Sequence, residues 1–349
     1  MKCIFITQGE GRGHICQAIA LKQILDKLNI QVLATYVGKN HVNRNHDWAF
    51  KELNLKPNYF YSPNFVYKNN KVNIPLTILK TLKNLKNIKS SVAYLNNQIK
   101  HHNPDFIVNF YEPLTPLANH NTNIPVITIG HQFMINHPIY PNPIKWWFHK
   151  QLINIFNKLI SFNSTHTIAL SYYPATNHKN ILIAPPLLRH SILSAKPKII
   201  KNKVSSYLVN SQLIHTLIPQ LQNYPNHNFT IYNESFSHSG PNYICKKISS
   251  SFIKDMLSSN YIVCSGGFET TAEANYHNKN ILMVPLPNHT EQILNSLDAT
   301  QNNIATTNNT YNLHNLLNNN ITKIKNINKF SKKDYTQFYI NFFKSLSLK

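Results

Sequence analysis

The chain has 349 residues, which at ~100–200 residues per domain means about two domains. Apolar residues make up 42%, enough for a folded core, and 35 Lys and Arg against 13 Asp and Glu give a formal net charge of +22. That composition excludes a collagen, a coiled coil and a low-complexity tail.

Residues 2–7 read as a buried strand, too short for a signal-peptide core. Residues 8–14 form a glycine-rich turn, 15–28 a helix and 31–37 a second strand, the opening of a parallel α/β layer. In 74–100, Leu76, Leu79, Leu82, Leu85 and Ile88 recur every three residues, in step with Lys80, Lys83, Lys86 and Lys89, the pattern of a basic amphipathic helix. Residues 106–110 and 126–130 are apolar strands, the first broken by Tyr111-Glu112-Pro113 and the second followed by a polar loop, 131–143. A second basic amphipathic helix is predicted over 144–162, carrying Trp146, Trp147, Phe148, Phe156 and Leu159 with Lys145, Lys150 and Lys158. Residues 167–171 read as a further strand.

Pro185-Pro186 opens an irregular stretch that reads as a linker. Beyond it the α/β pattern restarts, with strands at 206–210, 229–233, 261–265 and 281–285 and helices at 213–222, 252–258, 268–275 and 291–299. The Asn-rich run 301–320 has little periodicity, and 334–346 reads as a terminal helix. No stretch reaches ~18 consecutive apolar residues, so no transmembrane helix is expected.

The excess positive charge attracts polyanions: nucleic acid, anionic lipid or phosphorylated substrates. Arg12, Arg44 and Arg189 are the only arginines, so the Arg forks that read bases are scarce and a nucleic-acid partner is not expected. Each basic amphipathic helix either packs its apolar face on a sheet with its lysines solvated, or lies at an anionic membrane surface. Cys3, Cys16, Cys245 and Cys264 form no CxxC pair, which fits a reduced, cytoplasmic protein with no metal site.

Three motifs carry candidate chemistry. Gly9-Glu10-Gly11-Arg12-Gly13-His14 joins a strand to a helix, lets backbone approach a ligand and aims helix N–H groups at an anion. It lacks the spacing of a dinucleotide fingerprint, and the second strand ends Tyr36-Val37-Gly38-Lys39 without a ribose-binding acid. His14 is suited to a general base, because imidazole titrates near neutrality. Ser265-Gly266-Gly267-Phe268-Glu269-Thr270-Thr271-Ala272-Glu273 is a second cradle, with small residues before a helix, two hydroxyls, and Glu273 placed to accept sugar hydroxyls. Asn288-His289-Thr290-Glu291-Gln292 sets an acid beside an amide, a pair suited to a polyhydroxylated ligand. Singly, each of these acids also reads as a helix N-terminal carboxylate stabilised by the dipole.

This pattern resembles the GT-B glycosyltransferases, in particular their MurG-like and UDP-glycosyltransferase branch. The resemblance lies in Gly266, Gly267, Thr270, Glu273, Pro285, Glu291 and Gln292, and in Gly11-Arg12-Gly13-His14. Phe110-Tyr111-Glu112-Pro113 and Gly130-His131-Gln132-Phe133 are similar to a bacterial and archaeal subgroup of that branch. Glu10 and Arg12 depart from the small residues of the MurG loop, and Asn278 stands where a glycine is usual.

The resemblance implies an α/β GT-B fold, two Rossmann-like domains with parallel sheets facing a central cleft. The N-terminal acceptor domain would span 1–188, a linker 189–203, the nucleotide-sugar domain 204–330, and a terminal helix, 331–349, would pack back towards the first domain. Donor contacts would come from Gly266, Gly267, Thr270, Thr271, Glu273, Glu291, Gln292 and the Ile248 backbone. Acceptor contacts would come from Gly11, Arg12, Gly13, His131 and Gln132. His14, then Glu112, then Glu10 are the candidate bases. The implied activity is metal-independent, inverting transfer of a hexosyl or N-acetylhexosaminyl group from a UDP-sugar co-substrate, with no other cofactor. The acceptor would be a hydroxyl, on a lipid-linked or envelope molecule at the cytosolic membrane face. The alternatives are a nucleic-acid-associated protein, by binding or base glucosylation, and a GT-B nucleotide-sugar epimerase.

Overall fold

The computed structural model describes residues 1–39, 47–64, 66–68, 71–208, 211–233, 237–249, 251–307, 313–317 and 329–346. The last two residues of the strand predicted at 206–210, eight of the Asn-rich run and the end of the terminal segment lie outside them. The chain divides into two compact units, Met1–His190 with Lys329–Lys349, and Ser191–Asn328.

In the first unit the elements run β1 (Lys2–Gln8), α1 (Gly13–Lys27), β2 (Gln31–Lys39), α2 (Asp47–Leu53), β3 (Pro57–Tyr61), a small hairpin of β4 (Tyr67–Lys68) and β5 (Lys71–Val72), α3 (Ile74–Lys83), α4 (Leu85–His102), β6 (Phe106–Phe110), α5 (Thr115–Ala118), β7 (Val126–Gly130), α6 (Trp147–Ile160), β8 (His166–Leu170), β9 (Ile181–Ala184) and α7 (His190–Leu193), which straddles the boundary. The seven strands pair in parallel in the order β3-β2-β1-β6-β7-β8-β9. The order of strand addition reverses between β1 and β6. Right-handed crossovers therefore place α1 and α2 on one side, and α4, α5 and α6 on the other. Two cores follow from this. Ile15, Ile19, Val37, Phe50 and Leu53 pack together on the first side. Ile4, Ile6, Tyr36, Leu95, Ile99, Leu114 and Ala118 pack on the second.

The helix predicted across 74–100 is two helices. Asn84 breaks it at φ −104°, ψ 17°, and α3 buries none of its residues. In α6 the sides are the reverse of a packed helix: Lys150 and Asn157 face inward with Ile160, while Trp147, Phe148, Ile155, Phe156 and Leu159 are exposed. No helix among the described residues is long and apolar enough to cross a membrane.

The second unit contains β10 (Ile200–Tyr207), α8 (Ser211–Leu221), β11 (Asn228–Asn233), β12 (His238–Gly240), β13 (Tyr243–Lys247), α9 (Ser251–Ser258), β14 (Ser259–Cys264), α10 (Phe268–Tyr276), β15 (Asn280–Met283), α11 (Thr290–Gln301), β16 (Thr306–Thr307) and α12 (Leu313–Leu317). Its sheet runs β12-β13-β11-β10-β14-β15-β16, parallel apart from the β12–β13 pair, and the order of strand addition reverses between β10 and β14. Residues 200–203, expected in the linker, open β10 because Ile200 and Lys203 pair with Ser259 and Asn228. The polar run Lys201-Asn202-Lys203 hides that edge from a hydrophobic pattern.

The terminal helix α13 (Asp334–Leu346) belongs to the first unit. Phe343 meets Phe106 at 5.7 Å between ring centroids, Phe342 meets His166 at 5.2 Å, and the Tyr339 hydroxyl donates to the Pro185 carbonyl.

Candidate functional site

In open parallel sheets, ligands gather outside the carboxyl ends of the strands where the order of strand addition reverses. In the first unit that point lies between β1 and β6, and the β1–α1 loop, the β6 end and the β7 end converge there. His14, in the first turn of α1, stacks on Tyr111 with ring centroids 5.7 Å apart and planes 14° apart. Its Nδ1–H donates to Gln17 Oε1 at 3.2 Å, which leaves the Nε2 lone pair as the basic atom, 3.5 Å from Gln132 Nε2. Burial lowers the His14 pKa to about 4, so the imidazole is neutral at pH 7.

Tyr111 adopts φ 58°, an uncommon conformation for an aromatic residue, and it swings the ring over His14. Its hydroxyl donates to Asn157 Oδ1 at 2.7 Å, and Asn157 Nδ2 donates to the Gln132 carbonyl at 2.8 Å. One network thus joins α1, the β6 end, the β7 end and α6. Of its members, the sequence motifs named His14 and Gln132 as site residues, contained Tyr111 without giving it a role, and missed Gln17 and Asn157. Asn157 left a signal: Lys150, Asn154, Asn157 and Ser161 recur at helical spacing as a polar stripe along a mostly apolar segment.

Glu112 corrects an expectation. It is fully buried, so it is not presented to a substrate as a base. Oε1 accepts from Ser62 Oγ at 2.7 Å and from the Leu114 N–H at 3.2 Å. Oε2 lies over Gly38, where a side chain would collide with it. Burial raises the carboxyl pKa to about 8, against those two hydrogen bonds. His131 is a second correction. Its Nδ1–H donates to the Leu170 carbonyl at 2.6 Å, and Tyr140 and Tyr172 enclose the ring, so it supports the β7 end from inside rather than facing an acceptor. Glu10, Gly11, Arg12 and Gly13 form the half-buried loop itself, with open space over Gly11.

In the second unit β14 ends at Cys264, and Ser265-Gly266-Gly267 turns into α10. Gly266 sits at φ 83°, and a Cβ there would lie 2.9 Å from the Gln292 carbonyl oxygen, so only glycine lets the turn meet α11. Asn295 Nδ2 fastens that turn by donating to the Gly266 carbonyl at 3.2 Å. No side chain caps the α10 N-terminus, and Gly267 is exposed with open space where a side chain would stand. The first backbone N–H groups of α10 lack intrahelical partners and present a positive dipole end. The buried Ser265 Oγ has no hydrogen-bond partner among the described residues.

Thr270 is half-buried beside this turn. Thr271 is turned away from it: its hydroxyl bonds the Gly267 carbonyl at 3.0 Å and the side chain is buried against Cys264, which corrects its assignment as a donor contact. Glu273, one turn into α10, is 2% exposed rather than on the helix surface. Gln292 Oε1 accepts from the Leu286 N–H at 3.0 Å, leaving its amide N–H group for a ligand. Glu291 stands in the first turn of α11, where the dipole favours its charge. The Ile248 N–H is bonded to the Asn233 carbonyl at 2.8 Å and is not open to a base. His289 caps α11 through Nδ1, and burial lowers its pKa to about 4. Among the described residues no group of three or more His, Cys, Asp or Glu could hold a metal ion.

Two Rossmann-like domains of this kind, each with a glycine loop at a strand-to-helix turn, define the GT-B fold. The chain belongs to the family described as glycosyl transferase family 1, which matches residues 1–323, and it is a glycosyltransferase. MurG from Acinetobacter baumannii is similar with a TM-score of 0.53 at 14% identity, over 98% of this chain and 90% of that one. SsfS6 of Streptomyces sp. SF2575, solved with thymidine diphosphate, gives 0.63 at 11% identity and 100% of both chains. S. aureus MnaA, solved with UDP, gives 0.65 at 11% identity, over 99% and 97%. At these identities the likeness shows the fold. No curated protein matches the sequence.

Proposed function

We propose that the chain transfers a hexosyl or N-acetylhexosaminyl group from a UDP-sugar to a hydroxyl acceptor, with inversion and without a metal, and that the acceptor is a lipid-linked or envelope molecule at the cytosolic membrane face. The observation that carries the donor half is the uncapped α10 N-terminus beside Ser265 and Gly267. Departure of a nucleoside diphosphate builds charge on phosphate oxygens, and fixed backbone donors stabilise that charge as it grows. Glu273 would clasp the ribose hydroxyls, and Glu291 with the Gln292 amide would hold the sugar. Two of the similar structures carry a nucleoside diphosphate, which supports this reading.

In the acceptor half, His14 is the base. An inverting transfer needs one group to take the acceptor proton on the side opposite the leaving phosphate. Nε2 has that lone pair, with Gln17 fixing the tautomer and Tyr111 the ring plane. Gln132 is the acceptor contact nearest that atom.

A thermal-shift screen of UDP, TDP and GDP tests the donor assignment, because a ligand bound only by the folded state raises Tm. UDP is expected to give the largest rise. Glu273→Gln keeps the shape of that buried side chain and is expected to weaken UDP by about tenfold or more, the loss of a charge-assisted hydrogen bond. No rise with any nucleotide, or an unchanged UDP response in Glu273→Gln, would overturn it.

A further inference from the structure

Among the described residues, ten that are not glycine adopt a left-handed backbone. Eight are Asn, as at Asn103 after α4, and one is Lys179. A short amide tolerates that conformation because it can bond its own neighbouring backbone. Tyr111, at φ 58°, is the aromatic exception. A bulky residue held there is strained, and such strain persists only where the surroundings over-determine it.

The turn is clamped from within the sheet. Asn109 is fully buried in β6, between Ile6 of β1 and Thr128 of β7. Its Oδ1 accepts from the Glu112 N–H at 2.8 Å, and its Nδ2 donates to the Glu112 carbonyl at 3.2 Å. One side chain thus grips both backbone groups of the residue after Tyr111. The Glu112 carboxyl adds the Ser62 hydroxyl and the Leu114 N–H, and Pro113 biases Glu112 toward extended backbone. The Tyr111 ring has a fitted seat. A Cβ on Gly130 would lie 3.0 Å from Tyr111 Cδ2, Phe133 meets the ring at 5.5 Å and 71°, and His14 stacks on it.

An asparagine at 111 would satisfy this backbone without strain; the aromatic ring is what it could not supply. We propose that Tyr111 is a positioning residue for His14, and that the Asn109 clamp on Glu112 holds it in its strained conformation. The stack fixes the imidazole plane and screens it from water, so Nε2 stays neutral and aimed. The Tyr111-Glu112-Pro113 segment therefore serves the base through a ring, not through a second proton acceptor. This inference rests on the acceptor half of the proposed function and deepens it.

Titration of His14 in the full chain tests it without donor or acceptor. The imidazole Cε1–H resonance is assigned by its loss in His14→Gln. Failure of His14 as the base would show instead as near-normal turnover in His14→Ala, so the two failures are distinguishable. In the wild type the imidazole is expected to stay neutral down to about pH 5, because burial lowers its pKa to about 4. Tyr111→Asn relaxes the backbone and removes the ring. Its His14 midpoint is expected to rise toward about 6.5, and its turnover at about pH 8 to fall about tenfold or more as the base loses its aim. Tyr111→Phe keeps the ring and is expected to keep the wild-type midpoint. Asn109→Ala is expected to raise the midpoint as Tyr111→Asn does, and to add no further rise in the Tyr111→Asn background, because it acts through the ring. Asn109→Thr, suited to a central strand, carries the same expectation where the Ala variant does not fold. Glu10, Arg12, Lys39 and Glu112, the charged or titratable groups on the segments around His14, are retained in every variant. An unchanged midpoint in Tyr111→Asn, or a Tyr111→Phe that titrates like Tyr111→Asn, overturns the positioning role. An unchanged midpoint in a folded Asn109 variant overturns the clamp.

Discussion

At the residue scale, the two titratable groups at the β1–β6 junction pull stability in opposite directions with pH. His14 is neutral in the folded protein down to about pH 4, whereas an unfolded His takes up a proton below about 6.5. Stability from this group is therefore full above that range and falls as pH drops from about 6.5 towards 4. Glu112 behaves the other way. It holds its proton to about pH 8 when folded and loses it near 4.5 when unfolded, so its contribution falls as pH rises between those values. Glu112→Gln keeps a carbonyl oxygen for Ser62 and Leu114 and cannot ionise. Its Tm relative to wild type is expected to rise by a few degrees from pH 5 to pH 8; a constant difference across a thermal-melt series would contradict the buried neutral acid. His14→Ala is expected to lower turnover ~10²–10⁴-fold as the loss of a general base. Near-normal turnover, measured by nucleoside diphosphate release at saturating donor, would move the role to Glu10.

At the scale of elements, Gly38 shows how closely the strand ends are fitted. Its carbonyl accepts the Gly9 N–H at 2.9 Å, fastening the β1–α1 loop to β2, and a Cβ there would lie 2.7 Å from Ser62 Cβ and nearer still to Glu112. Gly38→Ala is expected to cost ~1–3 kcal/mol by overpacking, read as a lower Tm; an unaltered Tm would mean that the Glu112 carboxyl is not held there. The glycine was visible in the sequence, but its partner lies 74 positions away, at Glu112, and no local pattern connects them. The strand-loop-helix units carrying His14 and Gly266 were legible because apolar runs, glycines and helix periodicity coincide within a few residues. The edge strands β3 and β9, and β13 one strand in from an edge, were not, because short half-buried strands lack a strong alternation. Thr271 and His131 looked like ligand contacts because residue type alone does not tell which way a side chain points. Each points into its own domain.

At the scale of the whole molecule, the charge of +22 is unevenly used. Several of the acids are buried or paired: Glu112 under the β6 end, Glu269 and Glu273 on α10, and Asp255 anchoring Lys203 at 2.6 Å. The stretch from Ile74 to Ser164 holds only Asp105 and Glu112 against eight lysines, which leaves its outer surface almost uniformly cationic.

The first unit is assembled from both ends of the chain, whereas the second is a single uninterrupted segment. During synthesis the residues that form α13 leave the ribosome after the whole of the second unit. Until then Phe106 and His166 lack their aromatic covers, and the Pro185 carbonyl lacks its Tyr339 donor. The later-encoded half can therefore reach its native state while the earlier-encoded half is still waiting, the reverse of the usual amino-terminus-first order of cotranslational maturation.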